Sequence, residues 1–247
     1  MFPLRDENPT ESVPWVTMAL IGATLAVWWS VQGAGLSPGG LEASICTWGA
    51  IPAEVTGHPP VGPAPCPLGG FTWEAVLASV FLHGGWMHLI GNLWFLWIFG
   101  NNVEDSTGHF RFLVFYLLAG VLAAGAQILS TPDSAVPMVG ASGAISAVMG
   151  AYLVLYPHAR VDTLVVLVFF VRLVPLPAWV MLGYWIFIQM AASALEPAGA
   201  TGGVAYMAHI GGFVAGLVMI FLFRNPERIR SRRSHRRAAG AWGARWR

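Results

Sequence analysis

Five polar side chains that could take part in catalysis lie within apolar stretches of the sequence. They are Ser142, His209, His88, Asn92 and His83. Polar residues inside membrane segments are energetically costly and are therefore functional candidates. A serine hydroxyl becomes an effective nucleophile only beside a base such as histidine, which accepts its proton. Imidazole N–H and amide NH₂ groups can both donate hydrogen bonds to an oxyanion.

Ser142 is closely flanked by two glycines, Gly140 and Gly143. With Ser146 and Gly150 it also forms a row of small residues at every fourth position, which lets a neighbouring helix approach closely. Packing alone does not require glycine on both sides of the serine, because glycine lowers helix stability. A nucleophile benefits from both glycines, since the missing side chains open the approach to its hydroxyl. A serine at a helix N-terminus also offers a free backbone N–H to an oxyanion.

His88 and Asn92 are four residues apart, so a helix places both on one face. Taken alone, the pair could serve only as hydrogen bonds between helices. His83 lies five residues before His88 and is predicted to point elsewhere, as a structural hydrogen-bonding residue near the membrane interface. Neither this spacing nor the two cysteines, Cys46 and Cys66, suits a metal site, so we expect no metal and no cofactor.

His209 lies beside a close-packing row of small residues that includes Gly212 and Gly216. A lone histidine in a helix is usually structural. This one is a single residue away from the closest helix contact, at the predicted depth of a glycine-flanked serine, and is better explained as the base for that serine. Because the nearest carboxylates fall in connecting loops, we predict a Ser142–His209 dyad with no acidic third member.

The elements that must position these residues are predicted to be membrane helices. The chain has 247 residues, of which 56% are hydrophobic and only 10% charged, whereas soluble domains carry about 25% charged residues. Six apolar runs are long enough to span a bilayer, which takes about 17–25 residues. They are Val13–Val31, Ala75–Gly100, Phe112–Leu129, Val139–Tyr156, Pro177–Ala194 and Thr201–Phe223. We therefore predict an all-α, polytopic membrane protein with a six-transmembrane-helix bundle.

Arginine placement supports the six-span count. A seventh apolar run, Val161 to Val174, contains Arg172 and precedes two prolines, so we expect an interfacial or re-entrant segment. All 13 basic residues are arginines, and with six spans every one falls on the same side. The positive-inside rule then places both termini in the cytoplasm. The lysine-free, arginine-rich composition is typical of GC-rich bacterial genomes, so we expect a bacterial inner membrane.

The predicted organisation is a short N-terminus (1–12), a membrane domain (13–223) and a basic cytoplasmic tail (224–247). The domain includes one long outer loop, residues 32–74, which is rich in glycine and proline. Both cysteines lie in this loop, and the sequence fits a disulfide and two free thiols equally well. The tail is expected to be disordered and to attract anionic lipid headgroups rather than nucleic acid.

Three motifs, in this order and on alternate helices, resemble the rhomboid family of intramembrane serine proteases. They are His83-Gly84-Gly85-Trp86-Met87-His88-Leu89-Ile90-Gly91-Asn92, Gly140-Ala141-Ser142-Gly143 and Ala208-His209-Ile210-Gly211-Gly212. The stretch 100–105 is also similar to the family's inner-loop pattern. The resemblance covers roughly residues 73–223 and implies the six-helix bacterial form.

The resemblance implies a serine endopeptidase that hydrolyses a peptide bond near the outer end of a substrate's transmembrane helix. Ser142 would attack and form an acyl-enzyme, His209 would carry the proton, and His88 with Asn92 would hold the oxyanion. The supporting residues would be Gly140, Gly143 and His83. Substrate entry would be lateral, past the fifth helix, and the gate candidates are Trp179, Trp185 and Phe187. The expected partners are transmembrane-helix proteins and the lipid bilayer.

Two positions depart from the family pattern. The family often has Trp-Arg in the first outer loop, where this chain has Trp73-Glu74. Some members place an aromatic residue where this chain has Ser146, and that ring stacks on the base. We therefore expect His209 to be held by packing against Gly143 and Ser146.

Two other functions fit part of the pattern. A catalytically inactive rhomboid-like protein, acting as a membrane chaperone or degradation adaptor, is the closest alternative. Such proteins typically lose the serine or the histidine, and this chain keeps both. A transporter or channel is the second alternative, but transporters tend to show repeat symmetry and broken mid-membrane helices, and neither is evident in the sequence.

Overall fold

The computed structural model describes residues 1–62, 64–69, 73–167, 170–195 and 203–232. Its helices are α1 (Trp15–Ser30), α2 (Pro38–Trp48), α3 (Pro52–Thr56), α4 (Trp73–Ala78), α5 (Trp86–Thr107), α6 (His109–Ser130), α7 (Ser142–Leu155), α8 (Ala178–Leu195) and α9 (Tyr206–Phe223). Its strands are β1 (Phe2–Asp6), β2 (Arg160–Leu167) and β3 (Phe170–Pro177). Short 3-10 turns lie at Gly33–Gly35 and Ser79–Phe81.

The six predicted apolar runs correspond to α1, α5 with α4, α6, α7, α8 and α9. Among the described residues, α6, α8 and α9 are each long and apolar enough to cross a membrane. The segments Trp73–Phe81 and Trp86–Thr107 together make a fourth such span, bent by 84° at the break between them. The helices α1 and α7 are apolar but shorter. This is the architecture of a polytopic, mainly helical membrane protein, as the sequence predicts.

The helix α7 forms the centre of the bundle, and its backbone touches that of α9. A Cβ atom added at Gly212 would overlap the carbonyl oxygen of Gly143, and one added at Gly216 would overlap the carbonyl oxygen of Ala147. A Cβ at Gly150 would meet the carbonyl of Phe213 in the same way. The small residues therefore act as the spacing indicates, by letting two helices approach to backbone contact.

The seventh apolar run, expected as an interfacial or re-entrant segment, forms two strands of a β-hairpin that the sequence pattern did not predict. The strands β2 and β3 pair antiparallel, and β1 pairs antiparallel with β2, giving a three-stranded sheet in the order β1-β2-β3. The run is rich in valine, whose branched side chain favours strands. The two prolines that follow the run, Pro175 and Pro177, lie on the edge strand β3, where a missing N–H is tolerated. The residues before α1 are thus partly ordered as β1.

The carboxylate of Glu104, near the end of α5, caps the start of α1. It accepts hydrogen bonds from the backbone N–H groups of Val16 and Thr17 at 2.9 and 2.7 Å, and from the Thr17 hydroxyl at 2.6 Å. Its other hydrogen-bonding neighbour is His109, at 2.6 Å. Because α1 would otherwise leave its first N–H groups unpaired, Glu104 fixes this helix to α5.

The neighbouring Asp105 joins the two ends of the described chain. It accepts hydrogen bonds from the N–H groups of Glu11 and Ser12 at 2.9 and 3.1 Å. It also pairs with the guanidinium of Arg232 at 3.2 Å, and both side chains are at least 95% buried. Residues 226–232 are helical. The expectation of a disordered tail is therefore wrong for this part, while residues 233–247 lie outside the described residues.

The long loop between α1 and α4 is folded and tied to the segment that precedes α7. Cys46 and Cys66 form a disulfide, with Cα atoms 5.2 Å apart. Backbone hydrogen bonds join Ala53 to Ser134 and Val61 to Asp133, both at 2.9 Å. A further pair of hydrogen bonds joins Ala50 and Met138 in both directions, at 3.1 and 2.8 Å. These bonds brace the loop against the segment that precedes α7.

Candidate active site

Ser142 and His209 meet across the contact between α7 and α9. The Ser142 Oγ and the His209 Nε2 are 2.8 Å apart, which is a hydrogen-bonding distance. Ser142 is the first residue of α7, and His209 lies in the first turn of α9. Because Gly143 and Gly212 let the two backbones touch beside this pair, the hydroxyl and the imidazole are brought within reach.

His88 and Asn92 lie on α5 and approach the same point from the other side of Gly140. The backbone N–H of Gly84 donates to His88 Nδ1 at 3.3 Å, so the proton of a neutral imidazole is on Nε2. A Cβ added at Gly140 would lie 2.7 Å from His88 Nε2 and 3.7 Å from Asn92 Nδ2. Within the described part of the chain, Asn92 Nδ2 is buried and has no hydrogen-bond acceptor.

A cavity of about 980 Å³ connects these side chains. Its lining includes Ser142, His209, His88, Asn92 and Trp185, together with segments of the loops that precede α7 and α9. It therefore lies at the end of the bundle opposite the described arginines. Among the described residues, no group of three or more His, Cys, Asp or Glu side chains is arranged to hold a metal ion.

Comparison with known proteins identifies the family to which this arrangement belongs. The sequence model of the rhomboid domain matches residues 70–226, which include all four of these polar residues. The chain belongs to the rhomboid family. Its membrane helices and family membership together make it a multi-pass membrane protein.

Three relatives show how far the similarity extends. The chain is 30% identical to Rhomboid protein 1, mitochondrial, of Saccharomyces cerevisiae over 173 residues, covering 68% of this chain and 46% of the yeast protein. It is 31% identical to Rhomboid-like protein 11, chloroplastic, of Arabidopsis thaliana over 160 residues, covering 61% of this chain and 52% of the plant protein. It is 41% identical to Rhomboid protease GluP of Bacillus subtilis over 81 residues, covering 33% of this chain and 15% of that protein. The chain thus spans about half the length of the yeast and plant relatives.

The imidazole of His209, the predicted base, is held by α8, a contact that the sequence pattern did not predict. His209 Nδ1 lies 2.7 Å from Oε1 of Gln189. The ring of Trp185 lies 5.8 Å from the imidazole, tilted by 38°. The Ser146 hydroxyl donates to the Ser142 carbonyl at 2.6 Å, so its hydrogen bond lies within α7, and packing of His209 against Gly143 and Ser146 stays a prediction. The sequence feature that could have indicated this contact is Gln189, the single amide side chain in the apolar run that forms α8.

His83 packs behind His88 instead of pointing away from it. Its ring lies 5.0 Å from the His88 ring, edge to face, and its side chain is fully buried. Gln32 fixes the His83 backbone, since its amide accepts from the N–H and donates to the carbonyl, both at 2.8 Å. The predicted direction is wrong because His83 lies in the break before α5, where helical spacing does not apply.

Gln127 on α6 fixes the start of α9. Its Oε1 accepts hydrogen bonds from the N–H groups of Met207 and Ala208 at 3.1 and 3.2 Å. These N–H groups belong to the first turn of a helix and have no partner within it. The contact therefore sets the position of His209, which is the next residue.

The three gate candidates of the rhomboid pattern differ in their surroundings. Trp185 lines the cavity and contacts His209. Trp179 and Phe187 are 55% and 64% exposed on the bundle surface. Of the three, Trp185 alone lines the cavity.

Proposed function

We propose that this rhomboid protein is an intramembrane serine endopeptidase. The observation that carries the proposal is the 2.8 Å contact between Ser142 Oγ and His209 Nε2, in a cavity that also holds an unpaired amide donor on Asn92. A nucleophile within hydrogen-bonding distance of its base, beside a donor that lacks an acceptor, is the arrangement required for acyl transfer. Relatives that carry the word protease in their names, such as Rhomboid protease GluP, support the same reaction class.

In the proposed reaction, Ser142 attacks the carbonyl carbon of the scissile peptide bond while its proton passes to His209 Nε2. The carbonyl oxygen becomes an oxyanion, which accepts hydrogen bonds from His88 Nε2–H, Asn92 Nδ2–H and the backbone N–H of Ser142. His209 then gives the proton to the leaving amine, and an acyl-enzyme remains. A water molecule deprotonated by His209 hydrolyses the acyl-enzyme and regenerates the serine.

We further propose that the cavity faces the outer side of the membrane. The described arginines lie at the opposite end of the bundle, and the positive-inside rule assigns that end to the cytoplasm. The substrates are then membrane proteins whose transmembrane helix is cut near its outer end. The relatives include mitochondrial and chloroplast proteins as well as bacterial ones. We propose a bacterial inner membrane because the composition is lysine-free and rich in arginine.

The first prediction concerns Ser142 and His209. The purified protein in detergent should cleave a transmembrane substrate, and Ser142→Ala or His209→Ala should lower the rate by at least about 10³-fold, as loss of nucleophile or base does in serine proteases. A fluorophosphonate should label the wild type at Ser142. Ser146→Ala is the matched control, since this hydroxyl is one helical turn away and bonds its own helix. We expect its activity to stay within a few-fold of wild type.

Cleavage that survives either substitution, or labelling at another residue, would contradict the dyad. No cleavage of any transmembrane substrate together with no labelling of Ser142 would favour the inactive, chaperone-like alternative.

A further inference from the structure

His209, the proposed base, makes a second hydrogen bond, and this bond determines which nitrogen of its neutral imidazole carries the proton. An amide oxygen can only accept, so Gln189 Oε1, at 2.7 Å from His209 Nδ1, requires a proton on Nδ1. A neutral imidazole with Nδ1–H has a free lone pair on Nε2, which is the atom that faces Ser142. In the other tautomer, Nε2 would carry the proton and could not accept one from the serine.

The helix that carries Gln189 is loosely held at this end. Its buried residues, Ala178, Met181 and Leu182, all lie in the first five positions, far from Gln189. Only 17% of its apolar window is buried, against 44% for α6. Near the cavity, α8 contacts α9 through the Gln189 hydrogen bond and through the Trp185 ring, which lies 5.8 Å from His209 and 6.2 Å from Phe213.

We propose that Gln189 is a positioning residue that keeps His209 in the tautomer able to act as a base. The hydrogen bond crosses from α8 to α9, so the dyad is competent only while the cavity end of α8 lies against α9. Trp185, on the same helix, also supports the imidazole of His209. In this chain α7 has Ser146 at the position where some rhomboid proteins carry an aromatic side chain that stacks on the base. This inference rests on the proposed proteolytic function.

The coupling has a direct consequence for the reaction cycle. A substrate helix that pushed α8 outward would also withdraw the acceptor from His209 Nδ1. Attack by Ser142 would then wait until α8 had returned. The hydrogen bond would link the position of a loosely packed helix to the state of the catalytic base.

The test compares two substitutions at Gln189 with a matched neighbour. Gln189→Leu keeps the size of the side chain and removes the acceptor, whereas Gln189→Glu keeps an acceptor and adds a charge. Met190→Leu is the control, because Met190 is 56% exposed and lies one position further along the same helix. Each variant is measured for kcat and KM on a transmembrane substrate, for the pH profile of kcat/KM, and for the rate of fluorophosphonate labelling.

We expect Gln189→Leu to lower kcat and the labelling rate by about 100-fold, within the range that general base catalysis contributes, with KM changed by less than about threefold. Gln189→Glu should keep activity within about tenfold of wild type. Its acid limb should move to higher pH, because a carboxylate beside the imidazole favours the protonated ring. His88 and Asp133 also line the cavity and are present in every variant, so they leave the difference between profiles unchanged.

Gln189→Leu with wild-type kcat and labelling would overturn the proposal, as would Gln189→Glu with an unmoved acid limb. If Gln189→Leu failed to fold, as judged by size-exclusion profile and thermal unfolding, the acid limb of Gln189→Glu would decide alone. Failure of the proposed function gives a different result, since Ser142→Ala would then label as wild type does.

Discussion

At the scale of single residues, Gly140 shows how closely the site constrains side-chain size. Its φ of +127° lies where residues other than glycine are strained. A Cβ there would also lie 2.7 Å from His88 Nε2, well inside contact distance. Two independent reasons, one in the backbone and one in the neighbouring ring, therefore require glycine two residues before Ser142.

We predict that Gly140→Ala displaces His88 and weakens the proposed oxyanion site. Backbone strain of about 1–3 kcal/mol should lower stability, and kcat should fall by about 100-fold, as expected for loss of one oxyanion donor. Gly125→Ala is the control, because nothing lies within 4 Å of the added Cβ in α6. Thermal unfolding and cleavage assays in detergent measure both effects. Full activity in Gly140→Ala would mean that His88 has no part in the reaction.

At the scale of elements, the contact between α7 and α9 determines how closely Ser142 approaches His209. The carbonyl oxygens of Gly143 and Ala147 occupy the space that Cβ atoms at Gly212 and Gly216 would need. The backbones therefore touch over at least one helical turn below the dyad. Any side chain added in this contact must separate the helices, and separation lengthens the distance from Ser142 to His209.

We predict that Gly216→Ala costs about 1–3 kcal/mol of stability through overpacking. It should also lower the cleavage rate, although the added methyl group lies against Ala147 and not against Ser142 or His209. Gly183→Ala on α8 is the matched control, since its Cβ would have nothing within 4 Å. Thermal unfolding and steady-state cleavage of both variants provide the comparison. Equal stability and activity in the two variants would contradict a backbone contact at Gly216.

The sequence predicted the helices and the proximity of Ser142 to His209 because both leave a periodic or compositional signal. Long apolar runs indicate spans, and a serine with glycines beside it indicates a nucleophile at a helix start. The hairpin of β2 and β3 was missed because an apolar run rich in valine fits a buried helix as well as a buried strand. Gln189 was missed because no spacing along the chain specifies which face α8 turns toward α9. Contacts between separate helices depend on packing, which the local pattern does not encode.

At the scale of the whole molecule, the two ends of the bundle are held by different chemistry. The cavity end is braced by the disulfide-closed loop and its backbone bonds to the segment before α7. The arginine end is held by buried charges, chiefly the pair of Asp105 and Arg232. Arg232 also donates to the side-chain oxygen of Asn102 at 3.0 Å and to the carbonyl of Pro9 at 2.8 Å. One guanidinium thus connects α5, the N-terminal segment and the segment after α9.

We predict that Arg232→Ala lowers the free energy of unfolding by about 3–5 kcal/mol, because it leaves the carboxylate of Asp105 buried without its cation. Arg230→Ala is the control, since this arginine is exposed in the same helical segment and its loss changes the net charge equally. Denaturation in mixed detergent measures the difference. The pairing would be unimportant if both variants unfolded at the same denaturant concentration.

The position of Arg232 along the chain also has a consequence for biogenesis. The ribosome makes Asp105 first and reaches Arg232 only after α9, so α5 enters the bilayer before its cation exists. Until residue 232 has been synthesised, the Asp105 carboxylate has the N–H groups of Glu11 and Ser12 as partners but lacks its cation, and the N-terminal segment lacks the guanidinium that binds it. The contacts of Arg232 at this end can therefore form only after every membrane helix has been synthesised. A nascent chain that stopped after α9 would lack the buried pair of Asp105 and Arg232 and the hydrogen bond from Arg232 to the Pro9 carbonyl.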